Sequence, residues 1–157
     1  MKVIVAITGA TGSIFGIRIL EILKNIKEVE THLILSKWGR KTIESETNHT
    51  IEEVELLADY TYDTANLGAR ISSGSFQVDA MIIAPCSMKT LASIRMGFAG
   101  NLVSRAADVI LKERKKLILL TRETPLNTIH LENMLALSRM GTIMRHQCQH
   151  STTIQKQ

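Results

Sequence analysis

The chain alternates short apolar runs with stretches in which apolar residues recur every three or four positions. Residues 3–7 form a β-branched apolar run that ends at a glycine turn, which is typical of a strand buried on both faces. Apolar residues then recur at helical spacing at Phe15, Ile19, Ile22 and Ile26, and Leu20 and Leu23 widen this stripe. A second apolar run covers residues 32–35. Together these segments predict a β-α-β unit with a right-handed crossover.

The same alternation continues to residue 141. Residues 81–84 and 117–120 are predicted strands. Two further helices are predicted from apolar stripes at Leu102, Ala106, Val109 and Ile110, and at Leu131, Met134, Leu135 and Ser138. Gly141 is predicted to end the last helix, and a capping box at residues 50–53 predicts a short one. Residues 61–76 show no clear period and are not assigned.

This pattern predicts a doubly wound α/β domain with a mostly parallel sheet over residues 1–141. Residues 142–157 are polar, contain four glutamines and are predicted to form an atypical tail.

The amino-acid composition narrows the possible classes of protein. A chain of 157 residues with 45% hydrophobic and 22% charged residues is an ordinary single globular domain. Its two cysteines cannot form a disulfide framework, which favours a reducing, cytoplasmic compartment. No apolar run approaches the roughly 18 to 20 residues of a membrane span.

Net charge does not indicate a nucleic-acid partner. The net charge is +4, from 19 basic and 15 acidic residues. Arg145 and Lys156 lie after Met140 with no acid among them, which leaves 17 basic against 15 acidic residues elsewhere. No basic stripe with interleaved aromatic residues is present, and nucleic-acid binding is not expected.

Small, hydroxyl and cationic side chains follow each predicted strand, at residues 9–13, 36–37, 87–90 and 122–125. The carboxyl ends of parallel strands share one edge of a sheet, where the amino termini of the helices also converge. These residues predict a phosphate-bearing ligand at that edge.

The glycines at 9, 12 and 16 also occur in nicotinamide-binding domains. NAD would favour an acid at the end of the second strand, where this chain has Ser36 and Lys37. Lys37 together with Arg40 could hold the 2′-phosphate of NADP, so an NADP-linked reductase is one alternative. A mononucleotide such as FMN needs no acid at that position.

Four other features carry candidate chemistry. Cys86 follows a strand, but the sequence places no histidine near it, and a small buried core residue is the simpler interpretation. Glu123 beside Arg122 is a candidate for proton transfer, or else a surface carboxylate paired with arginine. The basic run at 112–116 suits a solvated helix end. The histidines and cysteine within 146–150 lack a fourth ligand, and no metal site is expected.

Several segments of the chain resemble the flavin prenyltransferase family, the UbiX-like proteins also described as a subunit of phenolic acid decarboxylases. The resemblance is carried by residues 8–12, 35–37, 71–76, 85–91, 105–109, 122–126 and 130–135. These segments occur in order between residue 1 and about residue 141, and together they are highly specific. Flavin-binding cysteine decarboxylases are similar only in part.

The resemblance implies a Rossmann-like flavoprotein fold and a defined reaction. Such an enzyme joins the dimethylallyl group of dimethylallyl phosphate to reduced FMN, and a UbiD-like decarboxylase uses the prenylated flavin. The family requires no metal. The resemblance also implies a homo-oligomer, with a dodecamer as the family's example.

The resemblance also assigns roles to residues. It implies FMN binding by Gly9, Ala10, Thr11, Ser36, Ser87, Met88, Lys89, Thr90 and Arg122. Glu123 would handle protons, while Thr11 and Glu46 would shape the reacting face. Arg105 and Lys112 would hold the allylic phosphate, in part across a subunit boundary, which replaces the solvated interpretation of Lys112.

Residues 142–157 depart from the family pattern. The family continues with a Pro-Pro-x-Pro-Ala-Phe-Tyr segment and a further helix, which supply a tyrosine and a basic residue to the prenyl phosphate. This tail has neither that segment nor that tyrosine. The departure predicts an altered or truncated carboxyl terminus with impaired activity, and an FMN-binding, non-catalytic remnant is the second alternative.

Overall fold

The computed structural model describes residues 1–147. Within them the strands are β1 Lys2–Ile7, β2 Glu30–Leu35, β3 Tyr60–Asp63, β4 Ala80–Cys86, β5 Lys116–Thr121 and β6 Ile143–His146. The helices are α1 Ser13–Lys24, α2 Lys37–Glu46, α3 Ile51–Glu55, α4 Met88–Arg95, α5 Leu102–Lys112 and α6 Thr128–Arg139. A 3₁₀ turn covers Arg70–Ser72.

All described strands pair in parallel in one sheet of order β3-β2-β1-β4-β5-β6. This order confirms the predicted doubly wound, Rossmann-like fold. The order reverses between β1 and β4, and ligands of such sheets bind outside the carboxyl ends of the strands at that point. We therefore expect a ligand-binding site at the loops that follow β1 and β4.

The core covers both faces of the sheet. Ile4, Ile83 and Leu119 belong to the apolar cluster on one face, whereas Val5 and Leu33 belong to the cluster on the other. In both β1 and β2 the last five residues are buried. The uninterrupted apolar runs in the sequence follow from this burial on two sides.

The predicted apolar stripe of α1 is wrong for three of its residues, because Phe15, Ile22 and Ile26 are exposed. Leu20 of the stripe is buried, and the buried face of the helix also includes Gly16 and Ile17. A Cβ at residue 16 would lie 2.3 Å from the Ala84 carbonyl oxygen, so glycine lets the helix approach β4 closely. The close packing of the α1 backbone against β4 therefore determines which face of the helix is buried, and the spacing of apolar residues does not indicate such packing.

The two later predicted helices differ in outcome. The predicted stripe of α5 is confirmed, because all four of its residues are buried. On α6 Leu137 is fully buried, whereas Leu131 and Leu135 of the predicted stripe are exposed. Gly141 follows α6 with φ +92°, the left-handed conformation predicted for a residue that ends a helix.

Several elements were not predicted. β3 overlaps the start of the unassigned residues 61–76. It is a four-residue edge strand with mostly exposed side chains, so it leaves almost no apolar signal. Helices α2 and α4 follow the hydroxyl loops directly. β6 lies in the segment predicted as a polar tail, and the division at residue 141 stays a prediction. Cys148 and His150 lie outside the described residues.

Among residues 1–147, every helix is too short or too polar to cross a bilayer.

Candidate active site

A cavity of about 360 Å³ opens at the carboxyl ends of β1, β2 and β4. Its lining is Thr8, Gly9, Ser36, Lys37, Trp38, Thr64, Ser87, Lys89, Thr90, Ser93, Asn101, Val103 and Ser104. Hydroxyl, amide and ammonium groups dominate this set. The cavity lies at the point where the strand order reverses, as the topology requires.

Thr8 joins the two loops at this point. Its hydroxyl donates to the Pro85 carbonyl oxygen at 2.7 Å and accepts from the Ser87 backbone N–H at 3.0 Å. Thr8 is buried, so both bonds are shielded from water. The loop after β1 is thereby fixed against the amino terminus of α4.

Three helices begin at the cavity, each with a polar N-cap. Ser36 caps α2 by accepting from the Gly39 N–H at 2.8 Å, and Ser87 caps α4 by accepting from the Thr90 N–H at 3.2 Å. Asn101 caps α5 through the Ser104 N–H at 3.0 Å. A side-chain cap satisfies one N–H of the first turn and leaves the preceding ones available to a bound anion.

The amino terminus of α1 differs from these three, because a carboxylate from another helix already lies there. Glu46 Oε2 accepts from the Gly12 N–H at 2.9 Å, and it also accepts from the Ser13 N–H at 3.4 Å and the Ser13 hydroxyl at 3.3 Å. Gly12 is the N-cap of α1 and has no side chain to cap it. The charge of Glu46 disfavours a phosphate at this helix terminus.

Trp38 forms a wall of the cavity next to Gly9. A Cβ on Gly9 would lie 2.4 Å from Trp38 Cβ, so this contact requires glycine. The indole is 64% exposed, and the Lys41 ammonium lies 4.5 Å from its centroid. An apolar, aromatic surface therefore faces the opening beside the polar helix termini.

The loop after β5 lies beside α4. Cys86 pairs with Thr121, so Arg122 and Glu123 follow next to Ser87 at the same sheet edge. Glu123 is half-buried, and its Oε1 accepts from the Thr124 N–H at 3.1 Å. The predicted proton-transfer residue thus lies at the edge that holds the cavity.

The structure brings together five of the predicted FMN-binding residues, because Gly9, Ser36, Ser87, Lys89 and Thr90 line the cavity. Three other predicted ones, Ala10, Thr11 and Met88, are near the lining residues along the chain. Arg122 is not among the lining residues and follows β5 at the same edge of the sheet.

Arg105 is the fourth residue of α5; it follows Ser104, which lines the cavity, but is not itself a lining residue. Its Nε donates to the Ser72 carbonyl oxygen at 3.1 Å, and its Nη1 lies 3.0 Å from Asp108 Oδ2. Two contacts therefore orient the guanidinium group and leave Nη2 for a further acceptor.

Within one chain the structure does not bring Lys112 to the cavity. Lys112 is the last residue of α5, at the edge of the sheet where β5 begins. It pairs with Glu113 and lowers the pKa of that carboxyl. A role for Lys112 at a cavity of this kind requires a second subunit.

Cys86 is a core residue. Its side chain is fully buried, and burial raises the pKa of the thiol to about 12. The thiol is therefore protonated at neutral pH and unsuited to act as a nucleophile.

The pair of cations expected for NADP is not assembled. Lys37 lines the cavity, whereas Arg40 forms an ion pair with Glu55 at 2.8 Å on α3. A 2′-phosphate would have to compete with that carboxylate for the guanidinium group.

Seven further residues line the cavity but are not among the candidates predicted from the sequence: Thr8, Trp38, Thr64, Ser93, Asn101, Val103 and Ser104. Asn101 and Ser104 form a reciprocal capping box, which is readable from their spacing. No sequence pattern indicates Trp38, because a single aromatic residue is not part of a repeating apolar spacing.

Comparisons with known proteins agree with this geometry. The Flavoprotein family model matches residues 1–155. A protein of Bacillus subtilis (strain 168) described as a probable UbiX-like flavin prenyltransferase is 65% identical over 144 residues, which is 92% of this chain and 70% of that protein.

Two crystal structures are similar over most or all of this chain. One is described as a dodecameric FMN-dependent UbiX-like decarboxylase from Escherichia coli O157:H7, with a TM-score of 0.93 and 54% identity over 100% of this chain and 85% of that one. The other is AnUbiX (PadA1) in complex with FMN and dimethylallyl pyrophosphate, with a TM-score of 0.89 and 51% identity over 91% of this chain and 76% of that one. The cysteine decarboxylase TvaF, at 16% identity and a TM-score of 0.71, shares the fold alone.

Proposed function

The chain belongs to the flavoprotein family and, within it, to the UbiX-like flavin prenyltransferases, and from this premise we propose that it transfers the dimethylallyl group of dimethylallyl phosphate to reduced FMN. The flavin is the acceptor, the allylic carbon–oxygen bond breaks, and inorganic phosphate leaves. The reduced flavin supplies the nucleophile for this step.

The observation that carries the proposal is the distribution of helix termini around the cavity. Ser87, Lys89 and Thr90 surround the start of α4, where backbone N–H groups, hydroxyls and one ammonium group fit a phosphate monoester. Glu46 already lies at the start of α1. A dinucleotide pyrophosphate would normally bind there, so this edge fits a mononucleotide better than NADP.

Trp38 suits the remaining parts of the ligands. A flavin ring and a dimethylallyl group are both flat and largely apolar, and an exposed indole offers a flat apolar surface beside Gly9. We assign the wall formed by Trp38 to this part of the site. Thr11 and Glu46, next to Gly12, would shape the face on which the group is transferred.

Cations and one carboxylate would assist the transfer. Phosphate that leaves an allylic carbon develops negative charge, and fixed cations stabilise it most strongly where water is excluded. Arg105 and Lys112 would supply this charge, with Lys112 contributed by a neighbouring subunit, while Arg122 would bind FMN. Glu123 would accept and return the proton as the prenyl group attaches and the new ring closes.

This arrangement requires a homo-oligomer, since Lys112 cannot reach the cavity of its own chain. We propose a dodecamer, as in the similar Escherichia coli structure. We also propose that a UbiD-like decarboxylase receives the product and that the protein works in the cytoplasm, in accord with its two cysteines.

The binding step can be tested through Trp38, which is the single tryptophan of the sequence. Addition of FMN is expected to quench its fluorescence at micromolar concentrations, whereas NADPH is expected to have little effect. Ser87→Ala is expected to weaken FMN binding about tenfold or less, the effect of one or two hydrogen bonds. Quenching by NADPH but not by FMN would contradict the proposal.

A further inference from the structure

A series of contacts, here called the relay, connects a buried histidine on β2 to Arg105 on α5 through two hydrogen bonds, the backbone of the 3₁₀ turn and a third hydrogen bond. His32 is fully buried, and its Nδ1 lies 3.0 Å from the Tyr62 hydroxyl. Arg70 Nε donates to the same hydroxyl at 3.2 Å. Arg70 begins the 3₁₀ turn, and the carbonyl at the end of that turn, Ser72 O, accepts from Arg105 Nε at 3.1 Å.

The direction of these bonds follows from their partners. Glu30 Oε1 lies 2.8 Å from His32 Nε2, and a carboxylate can only accept, so we assign the proton of the neutral ring to Nε2. His32 Nδ1 is then an acceptor, and the Tyr62 hydroxyl donates a hydrogen bond to it. That oxygen accepts in turn from Arg70. A neutral histidine therefore satisfies every member of the relay.

Aromatic packing holds Arg70 in place. The Tyr60 ring stacks on His32 with centroids 5.0 Å apart, and the Phe76 ring meets His32 edge-on at 5.4 Å. The Arg70 guanidinium lies 4.2 Å from the Tyr60 centroid and 5.1 Å from that of Phe76. Arg70 thus combines one hydrogen bond with two cation–π contacts, and it fixes the start of the turn.

We propose that His32, Tyr62 and Arg70 are positioning residues that hold the 3₁₀ turn so that its last carbonyl orients Arg105 toward an allylic phosphate. This inference rests on the proposed function. Ser72 and Asp108 hold two nitrogens of Arg105 and restrict its rotamers. Small displacements of a group that binds the reacting phosphate are expected to weaken binding of that substrate.

Protonation of His32 would disturb the relay. The ring would then donate from Nδ1, and the Tyr62 hydroxyl would lose its acceptor. The charged and titratable groups that face the ring are Glu30, Lys2, Tyr60, Tyr62 and Arg70. Burial, with Arg70 and Lys2, lowers the pKa of His32 more than Glu30 raises it. The relay is therefore intact at neutral pH and fails in acid.

The test is a double-mutant cycle between Tyr62→Phe and Arg105→Lys, with KM measured for both substrates. Tyr62→Phe keeps the ring and removes only the hydroxyl. It is expected to raise the KM for dimethylallyl phosphate about three- to tenfold, the effect of one lost hydrogen bond, and to leave the KM for FMN unchanged. In the Arg105→Lys background the same substitution should change the first KM less than twofold. Equal effects in both backgrounds, or equal effects on both substrates, would show a general structural role and overturn the inference.

Two controls accompany the cycle. Thr61→Val removes an exposed hydroxyl from the same strand and should leave both KM values unchanged. His49→Gln removes a histidine outside the relay, and its KM for dimethylallyl phosphate should rise in acid as it does in the wild type. Protonation of the substrate phosphate also raises this KM in acid, so His32→Gln should make the rise smaller than in the wild type, and a rise equal to that of the wild type would contradict a role for His32.

Hydrogen exchange in the 3₁₀ turn separates failure of the relay from failure of the proposed function. The Ser72 and Ser73 N–H groups bond to Ala69 and Arg70 within the turn. Without any substrate, Tyr62→Phe is expected to speed their exchange at pH 7 relative to Thr61→Val. Unchanged exchange overturns the relay, whereas faster exchange in a protein that transfers no prenyl group overturns the proposed function alone.

Discussion

Replacement of Glu46 by alanine tests how the start of α1 is stabilised. The Glu46 carboxylate accepts hydrogen bonds from the Gly12 N–H, the Ser13 N–H and the Ser13 hydroxyl. Loss of an N-cap acceptor costs about 0.5–2 kcal/mol, and loss of a negative charge at a helix amino terminus costs about 0.3–1 kcal/mol. Because Glu46 is exposed, we take the lower part of the combined range and expect Glu46→Ala to reduce the free energy of unfolding by about 1–2 kcal/mol.

Urea unfolding, monitored by circular dichroism at equal protein concentrations, provides the measurement. A loss of that size corresponds to roughly 2–8 °C in melting temperature for a domain of about 150 residues. Glu44→Ala is the matched control, because Glu44 is an exposed acid on the same helix, two residues away. Inorganic phosphate should stabilise Glu46→Ala more than it stabilises the wild type, since the vacated helix terminus can accept an anion. Equal midpoints for Glu46→Ala and Glu44→Ala would refute the capping role of Glu46.

Three further predictions concern buried positions. Gly16→Ala should lower the free energy of unfolding by about 1–2 kcal/mol in urea unfolding, because the clash of the new Cβ with the Ala84 carbonyl exceeds the gain of about 1 kcal/mol in helix propensity. A more stable variant would contradict the close packing of α1 against β4. In a Cys148→Ser background, Cys86 should resist iodoacetamide at pH 8 until the protein is unfolded, since a thiol with a pKa of about 12 is almost entirely protonated at that pH. Rapid labelling of the native protein would contradict the burial of Cys86. Because burial lowers the pKa of His32 in the folded state, the contribution of His32 to the free energy of unfolding should be constant above the unfolded pKa of about 6.5 and should fall as the pH drops from there through the lowered folded pKa. His32→Gln should make the decrease of stability in acid less steep in urea unfolding, and an unchanged slope would contradict the prediction.

The sequence predicts the sheet well because burial on two sides leaves uninterrupted apolar runs. Residues 3–7 and 32–35 lie within β1 and β2 for this reason. The parallel arrangement of the strands then places the polar loops at one edge of the sheet. Five residues that the family resemblance assigns to FMN binding line the cavity at this edge. The short edge strand β3 and the face of α1 could not be predicted, because exposed strands and glycine packing leave no apolar period.

The candidate site was predicted only as far as local chemistry allowed. The hydroxyl groups after the strands were predicted to bind a phosphate, and the structure adds that Ser36 and Ser87 cap helices α2 and α4. The role of Glu46 as a cap of α1 joins residues more than thirty positions apart along the chain, so no local pattern indicates it. The relay from His32 to Arg105 likewise joins three separate segments through tertiary packing.

The proposed prenyl transfer is tested most directly by incubating the purified protein with reduced FMN and dimethylallyl phosphate in the absence of oxygen. The mass of the flavin and the amount of phosphate released are then measured. The expected result is a flavin that carries one added dimethylallyl unit, formed together with one phosphate per flavin, and a strongly reduced yield with Glu123→Gln. Dimethylallyl pyrophosphate in a parallel reaction shows which leaving group the site accepts. Retention of unmodified FMN with no phosphate released would contradict the proposed transfer and would support a protein that only binds flavin.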